Sequence, residues 1–325
     1  LPTVAPLDVD GFVVRAGFLN DLAYFATGEG DILFSGSGET KARPHKAGLL
    51  AAEPLRDGSG LVTSGDDGCI YLTAADGTSS LVAERPRKWI DLIATGPSGA
   101  IAFASGRTAW VRLGDGREKE FAHDRAVGGL AFAPKGVRLA VSRYDGATLW
   151  WAGTDGAPVE FSWSGAHLGI SFSPDGKYLV TAMQENALHG WRLSDSQDMR
   201  MTGYPAKVKS FSWSLKGKYL ATSGANAAIL WPFFGKTGPM GQNPLQLGTR
   251  SDTLVSAVAC HPKEEVVAVG YQDGMILMCR FADNAEVLLR RPGNGPVTTL
   301  EWDAAGDRLV FGTEAAEAGL VSIKD

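Results

Sequence analysis

Five histidines, three cysteines and the carboxylates near them are the residues whose types could carry chemistry in this chain. The histidines are His45, His123, His167, His189 and His261, and no two form a pair at metal-ligand spacing. No glycine-rich phosphate loop and no nucleophile elbow accompanies them. Cys260 and His261 stand side by side, as a thiol nucleophile and its base would. In a strand, however, neighbouring side chains point to opposite faces, so these two diverge. Cys260 and Cys279 fall on the first and third strands of one expected four-stranded unit, about 10 Å apart across the strand between them. A disulfide does not span that distance. Cys69, the third cysteine, has no partner at short spacing, and three cysteines make neither a disulfide framework nor a zinc site. The expectation is therefore no catalytic residue, no metal and no cofactor.

Composition narrows the partners. With 31 basic against 36 acidic residues, a net charge of −5 and no block of like charge, the chain lacks the basic face that a general grip on nucleic acid or anionic membrane needs. No stretch approaches the roughly 18 apolar residues of a spanning helix. No secretory leader is visible, which suggests the cytoplasm. The start at Leu1 rather than Met leaves room for a trimmed terminus.

The elements that must position any site are repeated. "AFAPKGVRL" (131–139), "SFSPDGKYL" (171–179) and "SWSLKGKYL" (212–220) are one pattern. "EPLRDGSGL" (53–61), "ACHPKEEVV" (259–267) and "EWDAAGDRL" (301–309) are weaker copies, and shortened ones lie near Thr95–Ile101 and Phe18–Leu22. The central turn residue falls at Gly58, Gly99, Gly136, Gly176, Gly217, Glu264 and Gly306, in steps of 41, 37, 40, 41, 47 and 42 residues. Each copy reads as an apolar run, a Pro/Asp/Gly/Lys turn, a β-branched or aliphatic run, a tight turn and a third run. Asp76–Gly77, Asp115–Gly116 and Asp155–Gly156 then lead into a fourth. Asp-Gly between apolar runs is a strong hairpin signal. Each unit is thus a four-stranded antiparallel meander, and radial repetition of such meanders makes a β-propeller. Residues 1–325 read as a single all-β domain of eight blades. Seven is the competing count, if the degenerate third unit is absorbed elsewhere.

The last unit ends at Asp325, soon after a third strand expected at Gly319–Ile323. Thr3–Val9, ahead of the first unit, is expected to supply its missing fourth strand and so close the ring. Pro6 is acceptable there because the fourth strand is an edge strand.

The whole chain resembles the WD-repeat family, whose structural tetrad joins a His before the first strand, a Ser or Thr in the second, an Asp in the following turn and a Trp in the third. His45, Thr63 and Asp67 match in the second unit, with Thr73 in place of the Trp. His123, Asp145 and Trp151 match in the fourth, where Val141 replaces the hydroxyl. Thr181, Glu185 and Trp191 stand in the fifth, and Thr222, Asn226 and Trp231 in the sixth. The Trp-Asp pair itself is absent, since Ala152, Arg192 and Pro232 follow the tryptophans. Another family of eight-bladed propellers, the quinone-dependent dehydrogenases, carries adjacent cysteines and a different tryptophan repeat, and neither is present.

The resemblance implies a scaffold for protein binding, monomeric in isolation, with other proteins as partners. Its usual docking rim is built from the second-to-third and fourth-to-first strand connections. Trp89, Arg107, Arg125, Arg143, Tyr144, His167, Gln184, Lys207, Tyr271 and Gln272 fall there, and Trp, Tyr and Arg are the types enriched at interface hot spots. A second candidate is the long loop after Trp231, with Phe233, Phe234 and Met240 placed either to cap the blade's edge or to anchor a partner. Two other functions stay open: a small-molecule-binding or hydrolytic propeller using the channel mouth, and an envelope assembly factor.

Overall fold

The computed structural model describes residues 2–36 and 38–324; the terminal residues Leu1 and Asp325, and Ser37, lie outside the described residues. The chain is all-β, a β-propeller built of consecutive antiparallel meanders. It divides into two compact units. One takes the residues up to Pro44, Ala75–Thr78 and those from Tyr204 onward; the other takes His45–Ala74 and Ser79–Gly203.

The first unit holds four sheets of four strands. One sheet is Val13–Leu19, Leu22–Thr27, Ile32–Ser35 and Glu39–Ala42. A second is Phe211–Trp213, Tyr219–Thr222, Ala228–Pro232 and Leu245–Leu247. A third is Val255–Cys260, Val266–Tyr271, Ile276–Arg280 and Glu286–Arg290. The fourth is assembled from both ends of the chain. Val297–Trp302, Arg308–Thr313 and Glu317–Ser322 are followed in space by Thr3–Asp8, which pairs antiparallel with Glu317–Ser322 from Thr3↔Ser322 to Asp8↔Glu317. The terminal segment is thus the outer strand expected of it, and Pro6 sits opposite Gly319. The last sheet's first strand then runs against the first sheet's. Thr298 Oγ1 donates to Val13 O at 2.6 Å, Ala16 N donates to Thr299 Oγ1 at 3.2 Å, and Arg15 pairs with Glu301 at 2.9 Å.

Adjacent sheets pack large side chains against small ones. Trp302 and Phe311 of the last sheet meet Ala257, Ala259 and Ala268 of the one before it. Two second-strand glycines make close approaches. A Cβ at Gly270 would lie 2.7 Å from Val297, and one at Gly312 would lie 2.4 Å from Val13. In both seams, the first residue of the next meander occupies the space a side chain would take.

The second unit holds two four-stranded sheets, Leu49–Pro54 to Ser79–Glu84 and Leu92–Thr95 to Glu118–Ala122, and one six-stranded sheet spanning Val127–Met201. Among the described residues the hydrogen-bonded sheets therefore number seven, not the eight expected. The reason lies in two strands of 14 residues, Arg138–Trp151 and Val159–Phe172. The first half of Arg138–Trp151 pairs with Val127–Phe132 and its second half with the start of Val159–Phe172. The end of Val159–Phe172 pairs with Tyr178–Met183. Backbone pairing persists across the expected turn, where Tyr144 bridges to Ala166. Asp145 and Gly146 there have φ of 66° and 135°. Repeats that are separate in sequence thus share one sheet.

Candidate partner-binding surface

Several of the histidines are hydrogen-bonded links between neighbouring strands and turns. His45 lies within 3.2 Å of both Asp67 oxygens through Nδ1, and its Nε2 is 3.0 Å from Thr63 Oγ1. The carboxylate fixes the proton on Nδ1, so Nε2 accepts from the threonine hydroxyl. Burial holds this imidazole's pKa below its ordinary value, against the opposing pull of Asp67. Thr73 bonds Ser79 instead, and Tyr71 sets its edge against His45 at 5.1 Å. His167 is 1% exposed, with Nδ1 2.7 Å from Thr181 Oγ1 and Nε2 donating to Trp163 O at 2.9 Å. It is a buried link and not a rim residue. Tyr271 is likewise buried, its hydroxyl donating to Gly248 O. Both positions are corrected from rim to interior for one reason: each is the end residue of a strand pair whose side chain turns inward.

His123 shows a second correction. Trp150, not Trp151, reaches it, donating from Nε1 to Nε2 at 3.2 Å. That leaves Nδ1–H to donate to Phe121 O at 3.1 Å, and burial lowers this imidazole's pKa. Trp151, the next residue and so on the opposite face, is 43% exposed. Tyr204 takes the place of the histidine missing from the sixth unit. Its hydroxyl lies 2.6 Å from Thr222 Oγ1 and accepts from Trp231 Nε1 at 2.6 Å, and burial pushes its pKa up to about 12. Sequence reading missed this group because its template asked for an imidazole.

Three expected rim residues come together. Arg125, Arg143 and Tyr144 line a cavity of about 380 Å³ with His123, Trp150 and Glu160. Arg143 is anchored: Nε donates to Thr148 Oγ1 at 3.2 Å, Nη1 to the Tyr144 carbonyl at 3.1 Å, and Nη2 to Glu160. Arg125 is exposed, with its guanidinium 5.8 Å from the centre of the Tyr144 ring, and Tyr144 itself is 47% exposed. A fixed guanidinium beside an open aromatic face and a second, free-standing arginine can take a carboxylate, a carbonyl or another ring.

Lys207 and Gln272 line a separate cavity of about 440 Å³ in the other unit, with Lys209, Ser256, Thr298 and Glu314. Trp89, at 70% exposure, Arg107 and Gln184 stand singly on connecting turns. In the long loop, Phe233 is buried and packs edge-on against Trp213 at 4.8 Å, which is the capping role. Phe234 and Met240 are exposed at 42% and 46%. Gln242 ties the loop by donating to the Phe234 and Gly238 carbonyls at 3.2 and 2.6 Å.

The remaining sulfur chemistry is quiet. Cys260 donates to Ser212 O at 3.4 Å, and burial pushes its thiol up to about 12. His261 turns away to bond Gly306 O at 2.8 Å. Cys69, Cys260 and Cys279 are all free thiols. No helix of the described residues is long and apolar enough to cross a membrane.

No family model and no curated protein matches the sequence. Among solved structures, the chain is similar to the computationally designed Ika8 protein in a crystal form. The TM-score is 0.78 at 17% identity, over 97% of this chain and 98% of that one. The likeness is one of fold.

Proposed function

We propose that this chain is a WD-repeat propeller acting as a protein-binding scaffold, and that the surface around Arg125, Arg143 and Tyr144 docks a partner. One observation carries the reading. Side chains of the types that anchor interfaces gather midway along Arg138–Trp151, with Arg125 and Tyr144 exposed and Arg143 held by Thr148, the Tyr144 carbonyl and Glu160. The anchored guanidinium of Arg143 and its neighbour Tyr144 arrive already ordered, which lowers the entropy lost on binding. Family membership is supported by the His45–Thr63–Asp67 set and by the His167–Thr181 pair.

Within the same reading, the six-stranded sheet counts as two blades, making eight. It spans Val127–Met201, close to two of the sequence periods, and its two long strands each serve two ladders. The angle between successive blades in a crystallographic map tests this, an eighth of a turn against a seventh.

Affinity capture with an Arg125→Ala/Tyr144→Ala variant tests the docking surface. Both residues are exposed, so the variant melts within a few degrees of wild type, surface changes being worth about 0.5 kcal/mol or less. The expected result is loss of captured partners. An unchanged set removes this surface from the function.

A further inference from the structure

A different cavity, of about 360 Å³, opens on the first sheet beside the end of the terminal strand. Its floor follows from register. Phe25, Leu33 and Lys41 are paired in one row across three strands, so their side chains share a face. Thr27 and Asp31 continue that face across the Gly28–Gly30 turn, where Thr27 N donates to Asp31 O at 2.9 Å. Four carboxylates line the cavity, Asp8, Asp10, Asp31 and Glu39, against one ammonium, that of Lys41.

Two polar atoms there lack what they need. Thr27 is 2% exposed and Asp31 5% exposed. Neither Thr27 Oγ1 nor Asp31 Oδ1 has a hydrogen-bond partner among the described residues. Arg43 Nη1 stands 3.7 Å from Asp31 Oδ1, too far to donate. Lys41 serves the other oxygen, with Nζ 3.2 Å from Asp31 Oδ2 and 3.3 Å from Asp10 Oδ2. The Lys41 and Asp10 side chains are 54% and 79% exposed, so this ammonium sits at the mouth and not inside. A buried carboxylate oxygen left without a donor is costly, and buried polar atoms are ordinarily paired. The deficit at Asp31 Oδ1 is of a hydrogen-bond donor, since Lys41 and Arg43 already stand 3.2 and 3.7 Å from this carboxylate.

We propose that this cavity binds an alkyl cation. A guanidinium or ammonium head would donate to Asp31 Oδ1 and Thr27 Oγ1, and a short apolar stem would lie against Phe25 and Leu33. The head fits a need for donors only, since neither group accepts hydrogen bonds. A metal ion fits less well: among the described residues no group of three or more His, Cys, Asp or Glu is arranged to hold one. Such a cation comes either as a free amine or as the tip of an Arg or Lys side chain on a peptide. Lys41 is the internal competitor, and this gives the site its sharpest signature.

Titration of the isotope-labelled full chain with butylguanidinium chloride, followed by amide NMR, tests the site. Signals of Thr27, Asp31 and Leu33 are expected to move together. Lys41→Ala is expected to tighten binding by about threefold or more, because a competing charge leaves the acidic mouth. Asp31→Asn should weaken binding by about tenfold. An Asp10→Asn/Glu39→Gln variant, altering exposed side chains only, should weaken it without affecting the fold. Acetyl-Gly-Arg-Gly-amide binding more tightly than butylguanidinium assigns the cation to a peptide, and equal binding assigns it to free amines. Three results overturn the proposal: no response from wild type and Lys41→Ala up to about 10 mM, far weaker than useful binding; an equal response to sodium butyrate; or a response to calcium chloride alone.

Discussion

At the scale of single residues, the recurring device is a hydroxyl set against a ring that can both donate and accept. Thr63 meets His45, Thr181 meets His167, and Thr222 meets Tyr204. Thr63 and Thr222 are thereby tied to the segment preceding their sheet, and Thr181 to the neighbouring strand Val159–Phe172. Thr63→Val keeps the shape and removes the donor to His45 Nε2, which leaves a buried acceptor unmade. A loss of about 1–3 kcal/mol in denaturant unfolding is expected, with no effect on exposed surface residues. A loss below the error of the measurement would make the pair ornamental. The His45 set was legible in the sequence because its residue types match the tetrad of the WD-repeat family that the chain resembles. Tyr204 was not, since a phenol hydroxyl can take an imidazole's place without leaving the expected letter. Trp150 and Trp151 show a second limit: alternation assigns faces only relative to a known register, and two adjacent tryptophans fit either parity.

At the scale of elements, the strand Thr3–Asp8 is the clearest case of a sequence expectation met by the structure. It was readable because the final meander lacked a strand and the leading segment lacked a partner. Leu7 and Val9 also pack on the first sheet's apolar cluster, so the segment contributes burial as well as hydrogen bonds. A chain lacking residues 1–8 is expected to melt several degrees lower, at roughly 2–4 °C per kcal/mol for domains of this order of size. A synthetic peptide of residues 1–10 should restore the midpoint when added in trans. An unchanged midpoint on truncation would mean that the pairing does not stabilise the fold. The merged sheet across Val127–Met201 was not legible, because hydrogen bonding that continues through a turn leaves no mark on apolar periodicity. The long loop was half legible. Adjacent phenylalanines signalled a role, and alternation then sent Phe233 inward and Phe234 outward.

At the scale of the whole molecule, acid sensitivity brings the buried rings together. Burial lowers the pKa of His45, His123, His167 and His189. His189 falls furthest, to about 3 from an ordinary 6.5, chiefly through burial and then through the nearby His167 and Arg200. It stacks on Trp163 at 4.1 Å, and neither of its ring nitrogens makes a hydrogen bond among the described residues. Asp198, half exposed and 3.6 Å from Nε2, is too far to offset this. Between the two pKa values the unfolded chain binds a proton that the folded chain refuses. Stability therefore falls as pH drops from about 6.5 toward 3, and is regained as pH rises. The denaturant midpoint, measured from pH 7 to pH 4, should decline, and His189→Leu should flatten that decline. A wild-type midpoint constant over that range would contradict the buried, neutral state of these rings.

The pairing of Thr3 with Ser322 also sets a timetable for synthesis. A ribosome that has just released Thr3–Asp8 must translate about 300 further residues before their mate at Glu317–Ser322 emerges, a wait on the order of tens of seconds at ordinary elongation rates. Throughout that interval the nascent chain displays a strand with nothing to bond and an apolar first sheet with one flank bare. Chaperone dependence in the cell should therefore track how slowly the codons for Glu317–Ser322 are read, independently of how stable the folded protein is.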